Sequence, residues 1–373
     1  MQPLRAPGVS ISQEGLQPRP EFLTSVPAFV GYTGGGACPL TPRLLTHPEQ
    51  LEEVCEGSGP GACLAAVVRG FFENGGLQCW VVALGGDQRL EEGLQALRDK
   101  EDFDLLCAPC LPPKDAEQIL EAHVQLLKFC AMRGDCFALL DAPRGGPGQD
   151  AALVRHREQL VAGVPDASLG ALYSPWIRVA GSQEFIPPCG HIAGLFARME
   201  QGYGLSKAPA NEILEGVVEL EQQLLQIAEL NAQGINCLRA LPARGIRVMG
   251  TRTLAREEAW RYISVRRLFI FLRRRLVREL AWVAFEPNDW RLWLRLHREV
   301  GDLLEALFRQ GTLKGDVPED AFYVKCDMEN NPPELREKGE LVLELGLAPA
   351  TPREFLVLQL VQREGRQLEA AVP

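Results

Sequence analysis

The sequence contains no run of about 18 uninterrupted apolar residues, the length a membrane-spanning helix requires. Direct insertion into a bilayer is therefore not expected. Its opening, MQPLRAPGVSISQEG, has no apolar stretch of the kind a secretion signal carries. Histidine is scarce: His47, His123, His156, His191 and His297 are the whole set, and no two stand four residues apart as a helix-borne metal pair would. No tandem repeat or low-complexity tract is present. Glycines cluster in GYTGGGACPL, but the G-K-[ST] of a phosphate loop is missing, as is a G-x-G-x-x-G opening a helix. A turn is the expected reading. CAPC, Cys107 to Cys110, has redox or zinc spacing without a second ligand pair, so its cysteines read as structural thiols. Asp141, closing CFALLDAP, reads as turn chemistry, not as a metal ligand. Cys189 and His191 are too close in sequence to face one another as nucleophile and base. No catalytic, cofactor or metal site is expected, and the chain does not read as an enzyme.

What is present is an ordinary globular composition, 46% hydrophobic and 24% charged over 373 residues, with room for two or three domains. Eleven cysteines are scattered along it. Cys63, Cys79, Cys130, Cys136 and Cys237 lie in apolar runs, which reads as free thiols serving as small hydrophobes in a reducing compartment. From Val26 to about Pro143, strand-like runs (VPAFVGYT, LQCWVVAL, FDLLCAP, DCFALLDAP) alternate with helical ones (EQLEEVCE, GACLAAVVRGFFENGG, RLEEGLQALRDK, DAEQILEAHVQLLKFCAMRG), the pattern of an α/β layer. LGALYSPWIRVAG reads as a strand pair, PCGHIAGLFARMEQ as a helix, VVELEQQLLQIAELNAQG as a helix stopped by Gly234, and INCLRAL with GIRVMGTRTL as a hairpin. Two long helices follow, about 258–281 and 289–310, separated by a short strand in WVAFEP, with Asn288 or Asp289 as the second N-cap. Three strands close the chain: AFYVKCD, ELVLELGLA and EFLVLQLVQRE.

Charge is unevenly spread. Residues 239–315 hold 17 Lys and Arg against 8 Asp and Glu, while the whole chain carries a net charge of −10. The densest stretch, VRRLFIFLRRRLVREL at 265–280, places Val265, Leu268, Phe269, Leu272, Leu276 and Leu280 on one helical stripe, with Arg267, Arg274 and Arg278 opposite. Ile270 and Phe271 interrupt the polar face, which predicts cover on more than one side. The arginines read as a solvated face with internal ion pairs, or as a surface for an acidic partner protein. Without aromatics interleaved on the same face they are a weak nucleic-acid signal.

Several segments in order resemble the contractile tail sheath family of phages and phage-tail-like injection systems: APGVSISQ, TSVPAFVGYT, LAAVVRGFFENGGLQCWVV, PWIRV, PPCGHIAGLFAR, KAPANE, GINCLRALPARGIRVMGTRTL, WRYISVRRLFIFL, FEPND, AFYVKCD and GELVLELGLAPATPREFLVLQL. The resemblance covers nearly the whole chain. It implies a mixed α/β architecture: an N-terminal strand arm (1–22), an outer α/β domain (23–234), an inner, tube-facing domain of long helices and antiparallel strands (235–348), and a C-terminal strand arm (349–373). It further implies stacked hexameric rings around an inner tube, contraction that drives the tube through a target envelope, and baseplate and tail-terminator proteins as further partners. No nucleotide, cofactor, nucleic acid or membrane insertion is implied, and assembly is expected in the bacterial cytoplasm. The arms, through Val9, Ile11, Phe355, Val357 and Leu360, would pair with strands of neighbouring copies. Arg274, Arg278, Arg309 and Lys314 would face the tube. The alternatives are an α/β enzyme holding a phosphate ligand at GYTGGG and a nucleic-acid-binding protein using the arginine helix.

Overall fold

The computed structural model describes residues 22–33, 38–51, 63–85, 88–109, 116–145, 149–207, 209–350, 356–362 and 369–371. The first half alternates strand and helix: β1 (Pro27–Tyr32), β2 (Arg43–Leu45), α1 (Cys63–Glu73), β3 (Cys79–Leu84), α2 (Leu90–Ala96), β4 (Leu105–Cys107), α3 (Ala116–Arg133), β5 (Phe137–Asp141), α4 (Gln149–Gly163) and β6 (Gly170–Ser174). Then come β7 (Ile177–Val179), β8 (Phe185–Ile186), α5 (Cys189–Tyr203), β9 (Val217–Leu220), α6 (Ile227–Ala232), β10 (Ile235–Leu241) and β11 (Gly245–Val248). The remainder is α7 (Ile263–Glu279), α8 (Trp290–Arg309), α9 (Pro318–Ala321), β12 (Phe322–Lys325), α10 (Pro333–Glu337), β13 (Leu341–Leu347), β14 (Leu356–Gln362) and β15 (Glu369–Ala371).

An eight-stranded sheet runs in the order β11-β10-β6-β5-β4-β1-β3-β2. Its six central strands are parallel, and β2 and β11 close the edges antiparallel. Central parallel strands covered on both faces read as unbroken apolar runs, and all five residues of β5, FALLD, are buried. Helices α1 and α5 pack backbone to backbone. A Cβ at Gly190 would lie 2.1 Å from the Val67 carbonyl oxygen, and one at Gly194 would lie 2.2 Å from that of Phe71. Any side chain larger than hydrogen at those two positions would push the helices apart. A small sheet, β8-β7-β9, lies beside this layer.

The second core is built by α7, α8 and an antiparallel sheet in the order β12-β13-β14-β15. Helix α8 is capped by Asp289, whose side chain accepts from the amides of Arg291 and Leu292. It buries Leu292, Trp293, Leu296, Val300, Leu303, Leu304 and Leu307, a single stripe at helical spacing. Asn331, fully buried, donates to the Val342 carbonyl at 2.9 Å and accepts from its amide at 2.7 Å, tying the loop before α10 to β13.

Several elements differ from the sequence reading. WVAFEP holds no strand; Ala281–Phe285 forms a 3₁₀ turn, the tight device that reverses the chain between two antiparallel helices. The helix expected over 217–234 is β9 followed by the short α6: β-branched Val217, with Glu219 and Leu220, pairs with β7 across a bulge at Val218. Helix α7 begins at Ile263, after a 3₁₀ turn at Glu258–Trp260. Strands β10 and β11 extend the large sheet, so the segment after residue 235 shares the first core. The two cores meet along α7, where Ile263 and Ile270 join the first, and Val265, Leu268, Leu272 and Leu276 the second. Cys63, half-buried at the start of α1, is disulfide-bonded and is not a free thiol, whereas Cys79, Cys130, Cys136 and Cys237 are free and buried.

Candidate functional site

The arginines of α7 do not share one environment. Arg267, 6% exposed, lies in the seam between the cores. Its guanidinium donates to Ser25 Oγ and Asp104 Oδ2, both at 3.0 Å, pairs with Glu200, and stacks 4.8 Å over the Phe196 ring. Burial alone would push its pKa down; the Glu200 and Asp104 carboxylates overcome this and raise it. Asp104 accepts further from the amides of Val26 (2.7 Å) and Ser25 (3.0 Å), so both of its carboxylate oxygens are hydrogen-bonded. Arg266 pairs with Asp166 at 2.7 Å and lies 4.5 Å over Trp260. The Arg273 guanidinium covers the Gly134 turn so closely that a Cβ there would sit 2.1 Å from it. Arg274 donates to the Glu101 carbonyl at 2.8 Å, stands 3.8 Å from Asp104, and has a side chain only 8% exposed. Positive charge concentrated on this helix thus holds the second core onto the first.

Of the four residues expected to face a tube, Arg274 is committed inside the chain. Arg278 is exposed, 5.9 Å from the Phe22 ring, on the rim of a cleft of about 620 Å³ lined also by Trp80, Glu101, Asp102 and Arg273. Arg309 is exposed and pairs with Glu305 at 2.5 Å; Lys314 is exposed. Of the arm residues, Val9, Ile11 and Phe355 lie outside the described residues. Val357 and Leu360 fall on β14, which pairs antiparallel with β13 of the same chain in the register Leu343 to Leu360 and Gly346 to Val357.

The other chemistry-bearing residues turn inward. Asp141 accepts from the Cys189 amide at 2.9 Å, capping α5 from the end of β5, and burial raises its pKa to about 7. The His191 ring lies against Gly70, away from that contact, so Cys189 and His191 do not meet. Burial also pushes up the Cys189 and Cys130 thiols, and takes Cys237 and Cys326 up to about 12; such thiols stay protonated and inert. His123 and His156, on α3 and α4, stand 3.0 Å apart as a buried pair whose pKa values are depressed by burial. Their separation of 33 residues leaves no local signal for that pairing. The cluster GGGA at 34–37, the helix expected around EQLEEVCE beyond residue 51, and Cys110 lie outside the described residues. Among the described residues no group of three or more His, Cys, Asp or Glu could hold a metal ion, and no helix is long and apolar enough to cross a membrane.

A buried ionic seam joins an α/β layer to a second core of two long helices and an antiparallel sheet. Two family models match, the phage tail sheath protein central domain over residues 86–254 and the phage tail sheath C-terminal domain over 255–363, and the chain belongs to the phage tail sheath family. It is similar to a chain in the six-fold symmetrised cryo-EM structure of the anti-feeding prophage baseplate, at 26% identity and TM-score 0.74, covering 94% of this chain and 97% of that one. It is also similar to the helical sheath of the anti-feeding prophage in its contracted state, at 25% identity and TM-score 0.72, covering 93% and 98%. The tail sheath protein of Vibrio phage KVP40 is 27% identical over 183 residues, 48% of this chain; the match spans 26% of that relative's length.

Proposed function

We propose that this chain is the repeating unit of a contractile sheath in a phage tail or tail-like particle. Copies form hexameric rings stacked around an inner tube, bounded by baseplate and terminator proteins, and the sheath contracts to drive the tube through a target envelope. Assembly takes place in the bacterial cytoplasm without nucleotide or cofactor. The observation that carries this reading is the four-stranded sheet β12-β13-β14-β15, in which the last part of the chain supplies β14 and β15. Its β13–β14 ladder joins seven residue pairs. A neighbour's copy of the segment 356–362 could replace the chain's own and form the same seven pairs. Exchange then conserves the hydrogen bonds, each netting roughly 0.5–1.5 kcal/mol, and its cost falls on the connection between the strands. The arm at about residues 8–13 would add to a neighbour's sheet in the same manner. Bonds conserved in this way can persist while whole subunits rotate past one another.

Contact with the tube falls to Arg278, Arg309 and Lys314, which are exposed. Such contacts are screened by salt over roughly 8–10 Å and can break on firing. The nucleic-acid alternative loses support because Arg266, Arg267 and Arg274 face the junction. Electron microscopy of the purified chain is expected to show hollow cylinders, and the triple reversal of Arg278, Arg309 and Lys314 to Glu should keep the fold but lower the yield of extended sheath on its tube. Purified chain that remains monomeric under all conditions would overturn the sheath reading. A triple variant that still loads the tube normally would remove only the tube contact.

A further inference from the structure

Helix α8 has a side that none of the described residues covers. At 100° per residue, Trp290, Leu294 and Gly301 fall within about 40° of one line, on one flank of the buried stripe and about 120° round from its centre. Trp290 is 63% exposed and Leu294 64% exposed, and Phe285, in the turn leading into α8, is 90% exposed. Gly301 adds an independent observation. It sits in the helix interior, where glycine costs about 1 kcal/mol relative to alanine. Among the described residues, a Cβ there would meet no atom within 4 Å beyond its own stretch of helix. Gly190 and Gly194 are explained by an opposing backbone; no neighbour among the described residues requires glycine at 301. The position gains from lacking a side chain only if something from outside approaches the helix there.

We propose that the strip Trp290–Leu294–Gly301 is a contact face for a second copy of this chain. The inference rests on the reading that copies assemble into a sheath. Large exposed apolar residues grouped on one face mark protein contacts, and tryptophan is over-represented among the residues that dominate such contacts. The flanking exposed charges are of both signs, Arg291 and Arg298 beside Asp302. A face of mixed charge suits the mixed surface of another copy better than a partner of one sign. Arg309, assigned to the tube, is about a quarter turn further round the helix, so the two contacts do not compete.

The test compares the full-length chain with Gly301→Leu, Gly301→Ala and the double variant Trp290→Ser/Leu294→Ser, reading thermal melts of the monomer and cylinder yield by electron microscopy and sedimentation. The glycine variants should melt at or above the wild-type temperature, because they add helix propensity in open space. Gly301→Leu and the double variant should cut cylinder yield at least about tenfold, a loss of about 1.4 kcal/mol per contact if expressed as an equilibrium, with Gly301→Ala intermediate. Cylinders at wild-type yield from both Gly301→Leu and the double variant would overturn the proposal. So would normal cylinders that have lost only the capture of a different protein. Wild-type chain that forms no cylinders would instead overturn the sheath reading itself.

Discussion

Helices α7 and α8 are adjacent, antiparallel and rich in arginine, yet they use that charge in opposite ways. On α7, Arg266, Arg267, Arg273 and Arg274 turn into the first core and meet Asp166, Asp104, Glu200, the Gly134 turn and the Glu101 carbonyl. On α8, Arg295 and Arg309 lie along the surface in pairs with Glu299 and Glu305 one turn away. The first set determines how the two halves of the chain sit together, and the second leaves the fold nearly indifferent and a face open. A high density of one charge in a sequence therefore does not identify an external partner; the number of sides on which the helix is covered decides that.

The contrast can be broken most directly at Arg267. Arg267→Ala leaves two carboxylates, Asp104 and Glu200, in a seam where their side chains are 5% and 8% exposed. Removing one member of a buried ion pair costs about 3–5 kcal/mol, so chemical denaturation should register a loss of that order, and Asp104→Asn/Glu200→Gln in the same background should recover part of it. A loss under about 1 kcal/mol would place α7 in the same class as α8.

Acid should separate the first core from the second by a smaller margin. His191 is fully buried with neither ring nitrogen hydrogen-bonded, and burial lowers its pKa to about 4; His156 is lowered to about 4 as well. Unfolded histidine titrates near 6.5. The unfolded chain then binds more protons between those values, so stability is full above about pH 6.5 and falls as pH drops toward 4. Asp141 acts in the opposite sense. Its pKa is raised to about 7, so the folded chain holds the extra proton, and its contribution declines as pH rises from about 4 to 7. His191→Leu should flatten the acid arm by about 1–3 kcal/mol between pH 6.5 and 4, and Asp141→Asn should steepen it. If unfolding curves of His191→Leu and wild type stay parallel across that range, the ring is not neutral in the fold.

Much of the fold was legible in the sequence because its signals are local. The alternation of FDLLCAP and DCFALLDAP with amphipathic runs gives the parallel sheet, and Asp289 ahead of an apolar stripe gives the cap of α8. The reading failed where tertiary pairing overrides local pattern. Residues 217–234 carry many helix formers, but β7 recruits Val217, Glu219 and Leu220 into a sheet. The site was less legible. Arg267 meets Asp104 across 163 positions, and no spacing rule reaches that far. The one sequence signal was Ile270 and Phe271 breaking the polar face of α7, which predicts cover on two sides. It found the second side but not its partners. The exposed strip on α8 was equally hidden, because Trp290 and Leu294 look like core residues until the buried stripe is seen to run through Leu292, Trp293 and Leu296.

The smallest expected effect lies on the outer side of α8. Arg295 pairs with Glu299 at 2.8 Å and stacks 3.6 Å over Trp282, with its side chain 48% exposed. An exposed pair one turn apart contributes about 0.3–0.5 kcal/mol, because water screens the charges and two long side chains must be held still. A double-mutant cycle with Arg295→Ala and Glu299→Ala should give a coupling of that size, falling further at high salt, and the single Arg295→Ala loss should stay well below that of Arg267→Ala even with the lost stacking on Trp282. A salt-insensitive coupling above about 1.5 kcal/mol would mean that Arg295 is held as tightly as the seam, and the division of labour between the two helices would no longer follow from exposure.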